Sequence, residues 1–189
     1  MKNSPTIIGL TGYAGTGKDT VRELLCQHHS FEGIAFADPM RMMLRELLLS
    51  SGITDAWMRD RQLKESVIPA LGVSYRHMAQ TLGTEWGRGL HADFWTRLTG
   101  AYLDDARQGK VHKNTPFVIS DVRFENEAHW VRERGGQIWR IERPGVAPVR
   151  AHVSECEMYH FTADVTLHNT GSLKDLYRTV MDALDRGPA

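Results

Sequence analysis

The residues with the clearest capacity for chemistry form a glycine-rich segment, GYAGTGKDT, at positions 12–20. Its spacing fits G-x-x-x-x-G-K, and it lies between a predicted strand and a predicted helix, as a phosphate-binding loop does. Glycines let the backbone wrap around a phosphate, and the following helix directs its positive end at the same anion. Lys18 is expected to reach the outer phosphates of a nucleoside triphosphate. The candidate phosphate contacts are Gly12, Gly15, Thr16, Gly17, Lys18, Asp19 and Thr20.

Acidic and hydroxyl side chains near this loop are candidates for holding Mg²⁺. Asp19 stands where such loops usually carry Ser or Thr, so either its carboxylate or the adjacent Thr20 hydroxyl would take the ion. Asp121 follows the apolar run FVIS, the Walker B arrangement, which holds Mg²⁺ beside a phosphate loop. No Glu follows Asp121, and no Asn-Lys-x-Asp motif is present. These features argue against a motor ATPase or a GTPase switch and favour transfer to a bound acceptor.

Arginines are the candidates for holding that acceptor, because a guanidinium donates two parallel hydrogen bonds to phosphate. Arg123 is the strongest of them, since it lies two residues past Asp121 at the end of the same strand. Arg76 and Gln80 are one helical turn apart, so they share a face that either reads a base edge or is plain helix surface. The other arginines considered are Arg41, Arg88, Arg140, Arg143 and Arg150.

Three further features are compatible with a ligand but also have ordinary structural explanations. Trp95 is able to stack on a base, although most Trp residues belong to the core. Asp38 precedes Pro39 and is predicted to be a helix N-cap at the sheet edge that carries the phosphate loop. The irregular stretch 143–161 is either a lid over the phosphates or a surface loop, and its His and Cys residues do not supply the paired ligands of a zinc site.

The pattern of apolar residues predicts strands and helices in alternation, and therefore a parallel sheet covered by helices on both faces. Strands are predicted at 6–10, 33–36, 117–120, 137–142 and 165–168, and helices at 18–27, 38–49, 63–70, 75–82, 94–108, 125–134 and 172–184. No strand is predicted between 50 and 109, which we interpret as a helical insert within a single domain, 1–189.

Composition narrows the class of protein. The chain has 189 residues, of which 41% are hydrophobic, so it is long enough for a real core. Lys plus Arg is 23 and Asp plus Glu is 23, which disfavours bulk electrostatic binding of nucleic acid. Two cysteines, no signal-peptide pattern and no membrane-spanning apolar run predict a soluble cytoplasmic protein.

Several segments taken together resemble the bacteriophage-type deoxynucleoside monophosphate kinases, a branch of the P-loop nucleoside monophosphate kinases. The resemblance covers nearly the whole chain and rests on GLTGYAGTGKDT, FADPMR, YRHMAQTLGTEWGR followed by DFW, ISDVRFENEA, GGQIWRIERP, HVSE and HNTGSL. It implies a three-layer α/β P-loop fold with a five-stranded parallel sheet, an acceptor-binding helical insert at 50–109 and a lid-like loop at 143–161. It also implies transfer of the ATP γ-phosphoryl group, with Mg²⁺, to a deoxynucleoside 5′-monophosphate.

The resemblance assigns roles to individual positions. Lys18, Asp19 and Thr20 would hold the ATP phosphates and the metal, with Asp121 supporting Mg²⁺ and Asn169 and Gly171 bordering the adenine. Arg123 would hold the acceptor or the transferring phosphate, and Arg143 and Arg150 are lid candidates. The implied acceptor contacts are Asp38, Arg76, Gln80, Trp95, Arg123 and Glu125.

The residues alone leave open two alternatives to a deoxynucleoside monophosphate kinase. One is a kinase of another small phosphorylated metabolite, of the phosphomevalonate kinase type, which has the same fold. The other is a non-catalytic ATP-binding protein. The expected partners are ATP and a dNMP, without nucleic acid or membrane, and a homodimer is left open as the oligomeric state.

Overall fold

The computed structural model describes residues 6–108, 114–146 and 160–186. The chain divides into two compact units: a sheet unit, formed by Met1–Phe36 with Gly100–Ala189, and a helical unit, Ala37–Thr99. The predicted insert, 50–109, overlaps the helical unit over 50–99.

The elements follow one another along the chain as strands and helices. The strands are β1 (Ile7–Thr11), β2 (Glu32–Ile34), β3 (Val67–Ile68), β4 (Val73–Ser74), β5 (Phe117–Ile119), β6 (Gln137–Glu142) and β7 (Val165–His168). The α-helices are α1 (Lys18–His29), α2 (Asp38–Ser50), α3 (Ala56–Arg59), α4 (Tyr75–Gln80), α5 (Arg88–Leu90), α6 (Phe94–Gln108), α7 (Glu125–Glu133) and α8 (Leu173–Arg186). A 3₁₀ turn spans Leu63–Glu65, and a π-helix spans Thr81–Gly87.

The sheet unit is built on one five-stranded sheet in the order β2-β5-β1-β6-β7, with every neighbouring pair parallel. All five residues of β1 are buried, as expected for a central strand covered on both faces. The α/β fold with a five-stranded parallel sheet is therefore confirmed. Because the strands are parallel, their carboxyl ends meet at one edge, where ligands of such sheets bind.

Helices α1 and α8 cover the sheet with apolar residues at helical spacing. The buried residues of α1 are Val21, Leu24 and Leu25, and those of α8 are Leu176, Val180, Ala183 and Leu184. They share one core cluster with Ile8, Trp139 and Ile141 of the sheet. This packing fixes the start of α1, and with it the phosphate loop, against β1.

The helical unit has a separate small core beneath α2 and α4. Leu44, Leu48, Ile68 and Tyr75 are its buried residues. The helix predicted at 63–70 is wrong, since the chain there forms the 3₁₀ turn and then the β3–β4 antiparallel pair. The run Val67-Ile68 has β-branched side chains, which favour an extended chain once a partner strand is available.

The predicted N-cap of α2 is also wrong. Ala37 occupies the cap position, its carbonyl accepts the Arg41 N–H at 2.9 Å, and Asp38 is the first helical residue. The Asp38 carboxylate instead pairs with the Arg41 guanidinium at 2.9 Å. The helix begins one residue earlier than predicted, which places Pro39 second in the helix, within the first turn that tolerates proline.

The chain leaves the sheet unit after Phe36 and returns at Gly100. Trp130 of α7 packs beside both positions: its ring meets the Phe36 ring edge-on at 5.5 Å, and a Cβ on Gly100 would lie 3.5 Å from it. The Arg134 guanidinium covers the Trp130 ring at 4.0 Å. Both connections are thus anchored on one helix of the sheet unit.

No helix within the described ranges combines the length and the apolarity needed to cross a bilayer.

Truncation of a core residue in α1 should destabilise the sheet unit. Leu25 is fully buried, so Leu25→Ala is expected to lower the free energy of unfolding by about 2–5 kcal/mol through lost burial and a cavity. Leu173→Ala is the matched control, because Leu173 is 62% exposed. Denaturant titration of both variants measures the difference, and equal midpoints would contradict the packing described.

Candidate functional site

The phosphate loop joins β1 to α1 at the carboxyl edge of the sheet. Gly12 and Gly17 have φ values of 133° and 107°, which side chains rarely adopt. A Cβ on Gly12 would overlap the Ile141 carbonyl oxygen, and one on Gly17 would lie 2.6 Å from the Asn169 side-chain nitrogen. Glycine is therefore required at both positions by backbone geometry and by close neighbours.

Lys18 lies at the first position of α1, with its side chain turned back over the loop. Its Nζ donates to the carbonyl oxygens of Gly12 at 2.6 Å and Tyr13 at 2.7 Å. Thr16 is buried, and its hydroxyl also donates to Tyr13 O, at 2.9 Å. The ammonium is thus held at the loop by carbonyl groups, where phosphate oxygens can replace them as partners.

Asn169, directly after β7, connects the phosphate loop to the ends of β6 and β7. Its side-chain amide donates to Thr16 O at 2.9 Å, and its backbone N–H donates to Glu142 O at 2.7 Å. The structure therefore gives Asn169 a direct contact with the loop backbone. The contact with adenine predicted for this residue stays a prediction.

The metal-ligating candidates lie in the first turn of α1 and on the loop after β5, both in the sheet unit. Asp19 is exposed in the first turn of α1, and Thr20 beside it is half-buried. Asp121 follows β5, and its Oδ1 accepts the Phe36 N–H at 2.8 Å. This bond links the end of β5 to the chain that leaves β2. Within the described residues, no group of three or more His, Cys, Asp or Glu side chains is placed to hold a metal ion.

Arg123 lies on the same loop as Asp121, just before α7. Its backbone N–H donates to Glu127 Oε2 at 2.8 Å, and the Phe124 N–H donates to the same oxygen at 3.1 Å. Glu125, the first residue of α7, is exposed. Since β1 and β5 are neighbouring strands, the Arg123 loop and the phosphate loop lie on adjacent strands of one sheet edge.

The remaining acceptor candidates, Asp38, Arg76, Gln80 and Trp95, lie in the helical unit. Arg76 pairs with Glu65 at 2.9 Å, with both side chains about 40% exposed (41% and 38%). Burial raises the pKa of the Tyr75 hydroxyl, while the charges of Arg41 and Arg76 lower it. Gln80, at the end of α4, is half-buried.

Trp95 is a buried residue of the helical unit. It is 6% exposed, and its indole N–H donates to Gly83 O at 2.7 Å. A Cβ on Gly87 would overlap its ring, so the π-helix that contains both glycines is shaped around it. Because it is buried in this way, Trp95 has no exposed ring face on which a base could stack. An effect of Trp95 on the acceptor would therefore be indirect, through the π-helix.

Only the two ends of the predicted lid, 143–146 and 160–161, lie within the described residues. Arg143 is exposed after β6, and its carbonyl accepts the Val146 N–H at 3.2 Å in a turn. Arg150, His152 and Cys156 lie outside the described residues.

Two site contacts have no clear signal in the sequence. The Asp121–Phe36 bond spans 85 residues and has no local pattern. Glu127 stands three positions after Phe124, the capping-box spacing, but a Phe in place of Ser or Thr hides that pattern.

Comparison with known proteins gives agreement in sequence and in fold. A family model described as deoxynucleotide monophosphate kinase matches residues 58–180. A protein of Acanthamoeba polyphaga mimivirus, provisionally named a deoxynucleotide monophosphate kinase, is 31% identical over 95% of this chain and 96% of its own. The deoxynucleotide monophosphate kinase of Enterobacteria phage T4 is 26% identical over 59% of this chain and 45% of its own.

Among solved structures, dephospho-CoA kinase from Campylobacter jejuni superposes with a TM-score of 0.51 over 96% of both chains. The sequence identity is 14%, so this likeness concerns the fold alone. It agrees with an α/β P-loop fold for this chain.

Filling the space beside Gly17 should weaken the phosphate loop. Gly17→Ala is expected to lower the affinity for ATP by about 10-fold or more, because it combines about 1–2 kcal/mol of left-handed backbone strain with a clash against Asn169. Isothermal titration calorimetry measures this change.

Gly52→Ala is the control for that experiment. Gly52 has a φ of 75°, and a Cβ added there would meet nothing within 4 Å, so the substitution adds the strain without a clash, away from the loop. Equal ATP affinity for Gly17→Ala and the wild type would contradict the loop geometry.

Proposed function

The chain belongs to the deoxynucleotide monophosphate kinase family, and we propose that it binds ATP at 12–20 and transfers the γ-phosphoryl group to a deoxynucleoside 5′-monophosphate. It is an ATP-dependent phosphotransferase of the nucleoside monophosphate kinase type. Family membership favours a nucleotide acceptor over the metabolite acceptor and the non-catalytic alternative. The arrangement of the loops supports an assignment of the residues that perform the transfer.

The assignment of residues rests on one observation: the two loops that carry the charged candidates follow neighbouring strands of the sheet. The loop after β1 presents Lys18 at the amino end of α1, and the loop after β5 presents Asp121 and Arg123. Phosphoryl transfer needs positioning and positive charge rather than a protein nucleophile. Lys18 and Arg123 supply that charge, which supports a direct in-line transfer without a covalent enzyme intermediate.

Asp19, Thr20 and Asp121 suit Mg²⁺, because all three offer oxygen donors. Mg²⁺ in such sites is usually held by one or two carboxylates, water and the substrate phosphates, so a larger protein cluster is not required. The Phe36 N–H fixes the orientation of Asp121, and a carboxylate has further lone pairs for a water of the ion. When bound, Mg²⁺ would neutralise charge on the phosphate oxygens.

We propose that the helical unit binds the acceptor through Arg76, with Gln80 reading the base. The Arg76 side chain is 41% exposed, so a phosphate can reach its guanidinium. Glu65 now occupies the Arg76 guanidinium in an exposed ion pair, which contributes only ~0–1 kcal/mol. A phosphate can therefore displace the carboxylate at low cost. Asp38, Glu125 and Arg143 keep their predicted roles as further proposals, whereas the buried Trp95 is proposed to support the acceptor site through the π-helix rather than to touch the base.

The partners, the oligomeric state and the cellular location also remain predictions. The proposed partners are ATP and a dNMP, with neither nucleic acid nor membrane, and a homodimer stays open. The proposed location is the cytoplasm, that of the host if a virus encodes the protein.

A coupled ADP-release assay tests the reaction with Mg-ATP and each of dAMP, dGMP, dCMP, dTMP and the ribonucleotides. Turnover is expected with one or more dNMPs, which also gives the base preference. Lys18→Ala and Arg123→Ala should each lower kcat by at least ~100-fold, as losses of such electrostatic contacts do. Absence of turnover with every nucleotide, in protein that still binds ATP, would refute the proposed acceptor.

Removal of the Arg76 guanidinium should affect the acceptor and leave the donor unchanged. Arg76→Ala is expected to raise KM for the dNMP by about 10-fold, because a charge-assisted hydrogen bond contributes ~1.5–3 kcal/mol, and to leave KM for ATP unaltered. Arg59→Ala is the matched control, since Arg59 is 80% exposed in the same unit and pairs with Asp55. An unchanged dNMP KM in Arg76→Ala would remove Arg76 from the acceptor site.

A further inference from the structure

A buried carboxylate lies directly behind the loop that carries Asp121 and Arg123. Glu127 is the third residue of α7 and is only 5% exposed. Its Oε2 accepts two backbone N–H groups, from Arg123 at 2.8 Å and from Phe124 at 3.1 Å. One oxygen atom thus fixes the two peptide groups that lead from the Arg123 loop into α7.

A carboxylate at this point accepts stronger hydrogen bonds than a neutral side chain would. Hydrogen bonds to an ionised group are about twice as strong as neutral ones. The first turn of a helix also favours negative charge, because its N–H groups are not bonded within the helix. A buried carboxylate without partners is costly, so these bonds hold Glu127 and the loop in one arrangement.

The rest of the loop is fixed to the sheet by its own backbone. The Ser120 N–H donates to Ile34 O at 3.1 Å, and the Val122 N–H donates to Leu10 O at 3.1 Å. These bonds tie the loop to β2 and β1 up to residue 122. The bond from the Arg123 N–H to Glu127 continues this attachment, at the point where the backbone turns away from the sheet towards α7.

We propose that Glu127 is a positioning residue that fixes the Arg123 backbone so that its guanidinium meets the transferring phosphoryl group. This inference rests on the proposed function, since that function gives Arg123 its role. Glu127 does not need to touch substrate. Its effect comes through placement, and a displacement of about 1 Å at a reacting group can cost ~100-fold in rate.

The test compares substitutions of Glu127 in the full-length enzyme. Glu127→Ala removes both bonds and is expected to lower kcat by about 10- to 100-fold while KM for ATP changes by less than ~2-fold. Glu127→Gln keeps the side-chain length and one acceptor oxygen, so it should restore kcat to within about 5-fold of the wild type. Thermal melting of each variant shows that the assays use folded protein.

A double-mutant cycle separates placement of Arg123 from general stability. If Glu127 acts through Arg123, Glu127→Ala should have no further effect on kcat in an Arg123→Ala background. Asp164→Ala is the matched control: the Asp164 carboxylate accepts the Ile138 N–H at 2.6 Å, at the amino end of β6. It should lower the melting temperature and leave kcat unchanged.

The outcomes distinguish this inference from the proposed function. A wild-type kcat for Glu127→Ala beside a slow Arg123→Ala would overturn the inference and leave the function standing. A wild-type kcat for Arg123→Ala would refute the role of Arg123 itself. If Glu127→Ala does not fold, Glu127→Asp replaces it, since the shorter side chain draws the loop back while keeping the charge. A wild-type kcat for Glu127→Asp would overturn the inference. So would a loss of kcat on adding Glu127→Asp to Arg123→Ala that equals its loss in the wild-type background.

Discussion

The backbone of the β5–α7 loop is fixed from three directions, and the geometry of the candidate site depends on that attachment. Asp121 accepts the Phe36 N–H from the chain after β2, Val122 donates to β1, and Glu127 accepts from Arg123. A carboxylate and a guanidinium therefore emerge from one short loop whose peptide groups are already bonded. In the proposed transfer, charged groups on a loop fixed in this way would need little reorganisation to stabilise the transition state.

Features determined by short segments can be predicted from the sequence. The phosphate loop is specified by its glycines and Lys18, and the strand 137–142 and the helix 94–108 have the predicted bounds. The parallel sheet follows because strands and helices alternate. The helix predicted at 63–70 is wrong, since β-branched Val67 and Ile68 find a partner strand that the local pattern does not reveal.

Features determined by distant partners cannot be predicted in this way. Asn169 contacts Thr16 across 153 positions, and its sequence surroundings show only the end of a strand. Trp95 is a predicted acceptor contact, but the shape of its pocket depends on Gly87 and the π-helix, which aromatic spacing does not encode. Residues at the sheet edge are predictable because the fold collects strand ends there, whereas their supporting bonds become visible only in the structure.

The two units hold their charged side chains by different means, and the difference suits the two halves of the reaction. In the sheet unit, the Lys18 ammonium donates to backbone carbonyl groups, and the loop before α7 donates its N–H groups to the buried Glu127 carboxylate. Under the proposed function, this attachment would keep positive charge fixed at the transferring phosphoryl group. In the helical unit, Arg41 and Arg76 are held by exposed carboxylates, and each such pair contributes only ~0–1 kcal/mol. A guanidinium in such a pair can exchange a carboxylate for a phosphate with little loss. Under the proposed function, fixed charge would therefore serve the transfer, and exchangeable charge would serve the binding and release of the nucleotide.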